Sequence, residues 1–302
     1  MTLPTLTTAR TEDGLDLHVE IDDGPSDVTV VLVHGFTARL EEFDLQRDAL
    51  QGQARVVLYD QRGHGASRRG RVRGASVDQL GRDLGAVLDQ VVPTGPVVLM
   101  GHSMGGMTIM ALARQRPALF GPRVVGAFLL ATSSGGLVEA GPVGAAVRLL
   151  RRLHLLTLLL LWFRLWAPLL ERFRRRDTEL GRRYYRRQLF GTDDADPQLV
   201  RQVQSLLEQT PLPVISSFYG TLLDHDEHAA LAGMSDIPVT LLVGDSDRLT
   251  PVSHSRKMAE LLPHAELIVV PGAGHSVNIT RPRVVDAALL RLVEQARAAQ
   301  AA

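Results

Sequence analysis

The sequence predicts an α/β fold built on a mostly parallel sheet flanked by helices. Three features carry that reading. Short β-branched apolar runs recur along the chain, each followed by a helix-like stretch. The connections are short, so successive strands enter one sheet through helical crossovers. Runs such as TVVLV and PVVLM are apolar at every position, as strands buried on both faces are.

In chain order, strands are expected near Leu15–Ile21 and Val28–Val33, the second ending at His34-Gly35. A helix follows around Leu40–Leu50, then the strand segment ARVVLYD and the Gly-rich turn QRGHGAS. A helix from Val77 to Val91 leads into PVVLM, which stops at Gly101 and gives way almost at once to the helix-like MTIMALARQ. After VVGAFLLAT (Val124–Thr132) the alternation lapses for about a hundred residues. It resumes with IPVTLLVG (Ile237–Gly244), a helix from Pro251 to Leu262, the strand ELIVV and a closing helix from Pro282 to Ala299. The lapse is expected to be an inserted helical cap, helical over Val143–Arg176 and Pro197–Leu207. The domain reading is therefore a core of 1–132 and 234–302 with a cap of 133–233. No internal repeat is evident.

Composition removes several functions. Lys plus Arg equals Asp plus Glu at 33 each, so the chain lacks the general positive field that attracts a phosphate backbone, and no nucleic acid partner is expected. With no cysteine there is no disulfide framework, thiolate metal site or cysteine nucleophile. The first residues have no basic region followed by an apolar core, which makes a cytoplasmic location the default expectation. The apolar run from Leu155 to Phe163 is interrupted by Arg164 and Pro168 before it reaches the roughly 20 residues of a membrane span.

The chemistry centres on Gly101-His-Ser-Met-Gly105, a G-x-S-x-G string between a strand and a helix. There a sharp turn exposes the hydroxyl of Ser103, and flanking glycines give the room it needs. A serine hydroxyl is a weak nucleophile and requires a base. Among the histidines, His275 alone combines a position just past the last strand with the sheet edge that holds Ser103. His264 precedes that strand, His18 lies on an early strand, His64 belongs to a turn, and the side chain of His102 should point away from the nucleophile. The third member should be a carboxylate at a strand's end, and GDSDRLTP offers two. Asp247 lies further out in the loop and is favoured; Asp245 reads as a turn residue.

Through HGFT, YDQRGHGAS, GHSMGG, GDSDRLTP and GAGH, in that order, the chain resembles the α/β-hydrolase superfamily over nearly its whole length. The elbow GHSMGG is similar to that of monoacylglycerol-lipase and related esterase branches. The resemblance implies an eight-stranded sheet with one antiparallel strand and a cap inserted after the sixth. It also implies an oxyanion hole formed by the backbone N–H groups of Phe36 and Met104. The expected reaction is cleavage of a carboxylic ester of a hydrophobic small molecule through an acyl-enzyme on Ser103, with no metal or organic cofactor. Thioester, lactone or C–C bond hydrolysis, or acyl transfer or cyclisation, are alternatives on the same triad. Oligomeric state is open.

Two further stretches invite a label. Asp224–His228 (DHDEH) could bind metal, but a charged, solvated helix entry is the preferred reading. Asp60 reads as structural. The cap segment RLLRRLHLLTLLLLWFRLWAPLLERFRRR is greasy with arginines at both ends. Its helix is expected to line the acyl pocket, and a second reading also lays it on a membrane surface with Arg174, Arg175 and Arg176 meeting anionic headgroups.

Overall fold

The computed structural model describes residues 3–25, 27–67, 75–137, 149–150, 152–174, 182–183, 185–192 and 195–301. Part of the expected cap helix, including residues 143–148, Arg175 and Arg176, lies outside these.

Eight strands form one sheet: β1 (Thr5–Arg10), β2 (Asp16–Asp22), β3 (Thr29–Val33), β4 (Arg55–Tyr59), β5 (Val97–His102), β6 (Val124–Leu130), β7 (Val239–Gly244) and β8 (Glu266–Val270). Their order across the sheet is β1-β2-β4-β3-β5-β6-β7-β8. β2 is antiparallel to both its neighbours and every other pairing is parallel. β1 has no counterpart in the sequence pattern, because TLTTAR exposes most of its positions at the sheet edge and carries almost no apolar signal.

Two apolar layers cover the sheet. On one face α2 (Val77–Val91) and α3 (Met104–Gln115) pack through Leu80, Leu84, Ile109 and Leu112. On the other, α1 (Asp44–Leu50) and the C-terminal helix (Pro282–Ala301) pack through Leu50, Leu289 and Leu292. β3, β5, β6 and β7 are buried along their full length, which is why their sequences are apolar without alternation. β5 occupies the middle of the sheet, so its carboxyl end, which bears Ser103, opens between β3 and β6.

Between β6 and β7 the described chain includes a helix over Leu155–Arg174, a second over Pro197–Leu207 and a third over Leu212–Leu223. Arg164 and Pro168 interrupt the apolar run but not the first of these helices. Its Ala167 is buried, and Glu171 accepts a hydrogen bond from Leu212 N–H at 3.0 Å, tying it to the third. That third helix escapes the sequence pattern, because Pro211 and Pro213 stand at its start and LPVISSFYGTLL has no clear polar face. It joins the main core through Val214, Phe218 and Leu222. No described helix is long and apolar enough to cross a membrane.

Candidate active site

Ser103 stands at the junction of β5 and α3 with φ 51° and ψ −116°, a region that residues with a Cβ rarely adopt. The turn is tight because α3 starts hard against the sheet. A Cβ on Gly105 would lie 1.9 Å from the Val33 carbonyl oxygen, and one on Gly101 would lie 2.5 Å from the Gly105 backbone. Ser103 N–H donates to Leu130 O at 2.9 Å, and Thr132 Oγ1 donates to Ser103 O at 2.7 Å, so β6 helps hold the strained residue. Its side chain is half-buried, and Ser103 Oγ makes no hydrogen bond among the described residues.

The loops after β7 and β8 bring Asp247 and His275 into contact. Asp247 Oδ2 accepts from His275 Nδ1 at 2.8 Å, which leaves Nε2 as the basic nitrogen. Leu249 N–H and Thr250 N–H donate to Asp247 Oδ1 at 2.8 and 2.9 Å, and Thr250 Oγ1 donates to Oδ2 at 2.9 Å. Burial acts to raise the Asp247 carboxyl, but the His275 charge, its hydrogen bond and those from Thr250 outweigh it and hold the group below its ordinary range. Asp245 instead ties the two loops at their base, its Oδ1 accepting Gly272 N–H at 2.8 Å.

The turn after β3 approaches the same place. A Cβ on Gly35 would lie 3.4 Å from the Cβ of Ser103, so Phe36 follows directly on a backbone packed against the elbow. Among the described residues, neither Phe36 N–H nor Met104 N–H donates to a backbone or side-chain acceptor. Met104 is buried and Phe36 half-buried, and unpaired amides in such places are uncommon and suit a developing anion. His64 supports this turn: its Nε2 accepts Thr37 N–H at 3.2 Å and Nδ1 donates to Arg62 O. Burial, with His34 nearby, lowers its pKa to about 3, so it stays neutral. The rings of Phe36, His64 and Phe218 meet edge to face or tilted, placing the Leu212–Leu223 helix over the turn.

Sequence reasoning missed Glu42. It is buried, its Oε2 accepts Gly35 N–H at 2.8 Å, and its Oε1 lies 2.9 Å from His102 Nδ1. The other ring nitrogen of His102 lies 3.0 Å from the His275 carbonyl oxygen. With Glu42 ionised, both nitrogens face acceptors, an arrangement that suits a doubly protonated imidazolium. Burial opposes charge on both partners; their mutual attraction and hydrogen bond prevail, lowering Glu42 and raising His102 from their ordinary values. His102, expected only to point away from the nucleophile, thus links three segments of the site. The signal was weak because LEEF reads as an ordinary solvated helix start.

The region before β7 also departs from expectation in detail. The Asp224–His228 stretch is not a solvated helix entry throughout, since His225 and Glu227 are buried. His225 Nε2 donates to Ser133 O at 2.9 Å, and Glu227 pairs with Arg114 at 2.8 Å. These partners satisfy the polar groups that the sequence pattern suggested were hydrated. Among the described residues no group of three or more His, Asp or Glu is arranged to hold a metal ion. Asp60 is buried and structural, accepting Leu40 N–H at 2.9 Å and Ala66 N–H at 2.6 Å.

Residues 30–288 match the model of a family described as the alpha/beta hydrolase family. The chain is 28% identical to the dihydrolipoyllysine-residue acetyltransferase component of the acetoin cleaving system of Pseudomonas putida, over 90% of its own length. It spans 65% of that relative, somewhat under two thirds. It is 26% identical to the pimeloyl-[acyl-carrier protein] methyl ester esterase of Nitrosomonas europaea, covering 88% of this chain and 95% of that one. Among solved structures, a thermophilic esterase from Thermogutta terrifontis superposes with a TM-score of 0.74 at 23% identity, over 97% of this chain and 99% of the other. That likeness shows the fold.

Proposed function

Because the chain belongs to the alpha/beta hydrolase family, we propose that it is a serine hydrolase cleaving a carboxylic ester of a hydrophobic small molecule. The observation that carries this reading is the buried hydrogen bond between Asp247 and His275 on the sheet edge that presents Ser103. Asp247 fixes the imidazole tautomer and stabilises its protonated form. Ser103 Oγ attacks the ester carbonyl as His275 Nε2 takes its proton, and the resulting oxyanion receives the N–H groups of Phe36 and Met104. Collapse expels the alkoxide, which leaves as the alcohol with the proton from His275. Water, deprotonated by the same nitrogen, then splits the acyl-enzyme to the free acid and restores Ser103.

The apolar interior of the inserted segment favours an uncharged acyl group. Leu189, Phe190, Val200 and Val203 form their own cluster. The Leu189 carbonyl accepts Ser276 N–H at 2.8 Å, so this cluster reaches the loop that carries His275. We read residues 133–233 as the cap over a core of 1–132 and 234–302. The methyl ester esterase among the relatives is consistent with ester chemistry.

The test is turnover of nitrophenyl esters of increasing acyl length with the product acid quantified. Release of free acid in step with nitrophenol, with a preference for medium chains, supports ester hydrolysis. Acyl transfer to an added alcohol without free acid would instead indicate a transferase.

A further inference from the structure

We propose that the outward face of the Leu155–Arg174 helix is a docking surface for an anionic lipid bilayer. Leu158, Leu161, Trp162, Leu165, Trp166 and Leu169 are all substantially exposed, with Leu158 at 61%, Leu161 at 63% and Leu165 at 75%. At 100° per residue these six cover an arc of about 140°, the width of a full apolar face. Ala167, on the opposite side, is buried, and Glu171 receives the Leu212 N–H; the inner side of the helix thus has its partner and the outer side faces solvent. A globular protein rarely leaves so continuous an apolar strip uncovered. The rings of Trp162 and Trp166 lie 6.2 Å apart at this surface, and tryptophan is the side chain most at home between headgroups and acyl chains.

Charge identifies the occupant. From Arg148 to Arg187 the sequence holds 12 arginines against 3 acids, Glu171, Asp177 and Glu179. The whole chain has a formal net charge of +0, so an excess of +9 in this stretch is balanced by −9 elsewhere. Arg151 and Arg152 precede the helix in sequence, and Arg172, Arg174, Arg175 and Arg176 close or follow it. An apolar helix face flanked in sequence by basic residues matches the composition of a helix lying in the plane of an anionic membrane surface. A second copy docked through the same face would oppose two such basic stretches, which disfavours a two-fold dimer. The 20-residue helix is long enough to span but not apolar enough, so the attachment is peripheral. Its inner partner, Leu212–Leu223, packs on Phe36 through Phe218, so the docked face lies two helices from the candidate oxyanion turn.

The experiment is flotation of the full chain with vesicles of phosphatidylcholine alone and of phosphatidylcholine with phosphatidylglycerol. Wild type should float with the mixed vesicles and release as salt rises. L161E/L165E should lower the partition coefficient at least about tenfold. R174Q/R175Q/R176Q should lower it about a hundredfold on anionic vesicles, with little change on neutral ones. Both variants should retain wild-type thermal unfolding, which shows that the fold is intact. Absence of flotation with either vesicle, or binding indifferent to L161E/L165E, would overturn the proposal. Sedimentation without lipid is the second arm: a wild-type dimer that L161E/L165E dissolves would assign the face to self-association instead. Absence of esterase activity in wild type would bear on the catalytic reading and leave the lipid result standing.

Discussion

Glu42 and His102 form a buried ion pair at 2.9 Å, and through it the β3 turn, the Ser103 turn and the His275 loop are joined. Gly35 hangs from one carboxylate oxygen and the His275 carbonyl from the far side of the ring. The pair thus positions the parts of the candidate site without touching Ser103 Oγ or the His275 ring nitrogens.

This pair gives stability a defined pH window. His102 is raised from 6.5, so its contribution is complete below that value and is lost as pH rises through the raised one. Glu42 is lowered from 4.5, so its contribution is complete above that value and is lost as pH falls through the lowered one. Glu42→Gln should destabilise by about 3 kcal/mol in mildly acidic solution, and by less as alkaline pH removes the wild-type pair. Thermal unfolding of both proteins across pH tests this. A difference that does not narrow at alkaline pH would show that His102 is not charged.

Asp247→Asn should reduce kcat by about 10³ to 10⁴, because the amide cannot hold the catalytic tautomer or stabilise the imidazolium. Asp245→Asn should cost less than about tenfold, since Asp245 binds Gly272 N–H rather than His275. Steady-state kinetics on one nitrophenyl ester compares them. Equal losses would remove the distinction between the two carboxylates.

Gly35→Ala tests the proposed oxyanion role of this turn. The added Cβ would come 2.9 Å from His102 Nδ1, forcing the turn away from the elbow. A drop in kcat of about 100-fold with KM nearly unchanged is expected, as for a misplaced oxyanion donor. A matching rise in KM with kcat preserved would point to substrate binding instead.

Ser103 is strained in a way that can be measured. Ser103→Ala and Ser103→Gly both lack the hydroxyl, but only glycine relieves the backbone at φ 51°. The glycine variant should be more stable than the alanine variant by roughly 1 kcal/mol. Denaturant unfolding decides this, and equal stability would mean that the elbow is relaxed.

What could be read in the sequence follows physical lines. Strands β3, β5, β6 and β7 were legible because they are buried on both faces, where polar side chains would lose their hydration. The candidate residues Ser103 and Asp247 were legible because each closely follows a fully buried strand, β5 or β7, and His275 because it follows the half-buried β8, whose carboxyl end lies on the same sheet edge. Glu42 was not, since its partners Gly35 and His102 are distant in sequence or meet it only through the fold. Nor was β1, whose pairing with β2 rests on backbone bonds that no side-chain pattern announces. His225 and Glu227 misled because their charges suggested water where Ser133 and Arg114 stand.

The most direct test of the account is intact mass after exposure to a fluorophosphonate probe, for wild type and Ser103→Ala. A single adduct on wild type and none on the variant is the predicted result. Labelling of both proteins, or of neither while both are folded, would contradict Ser103 as the nucleophile.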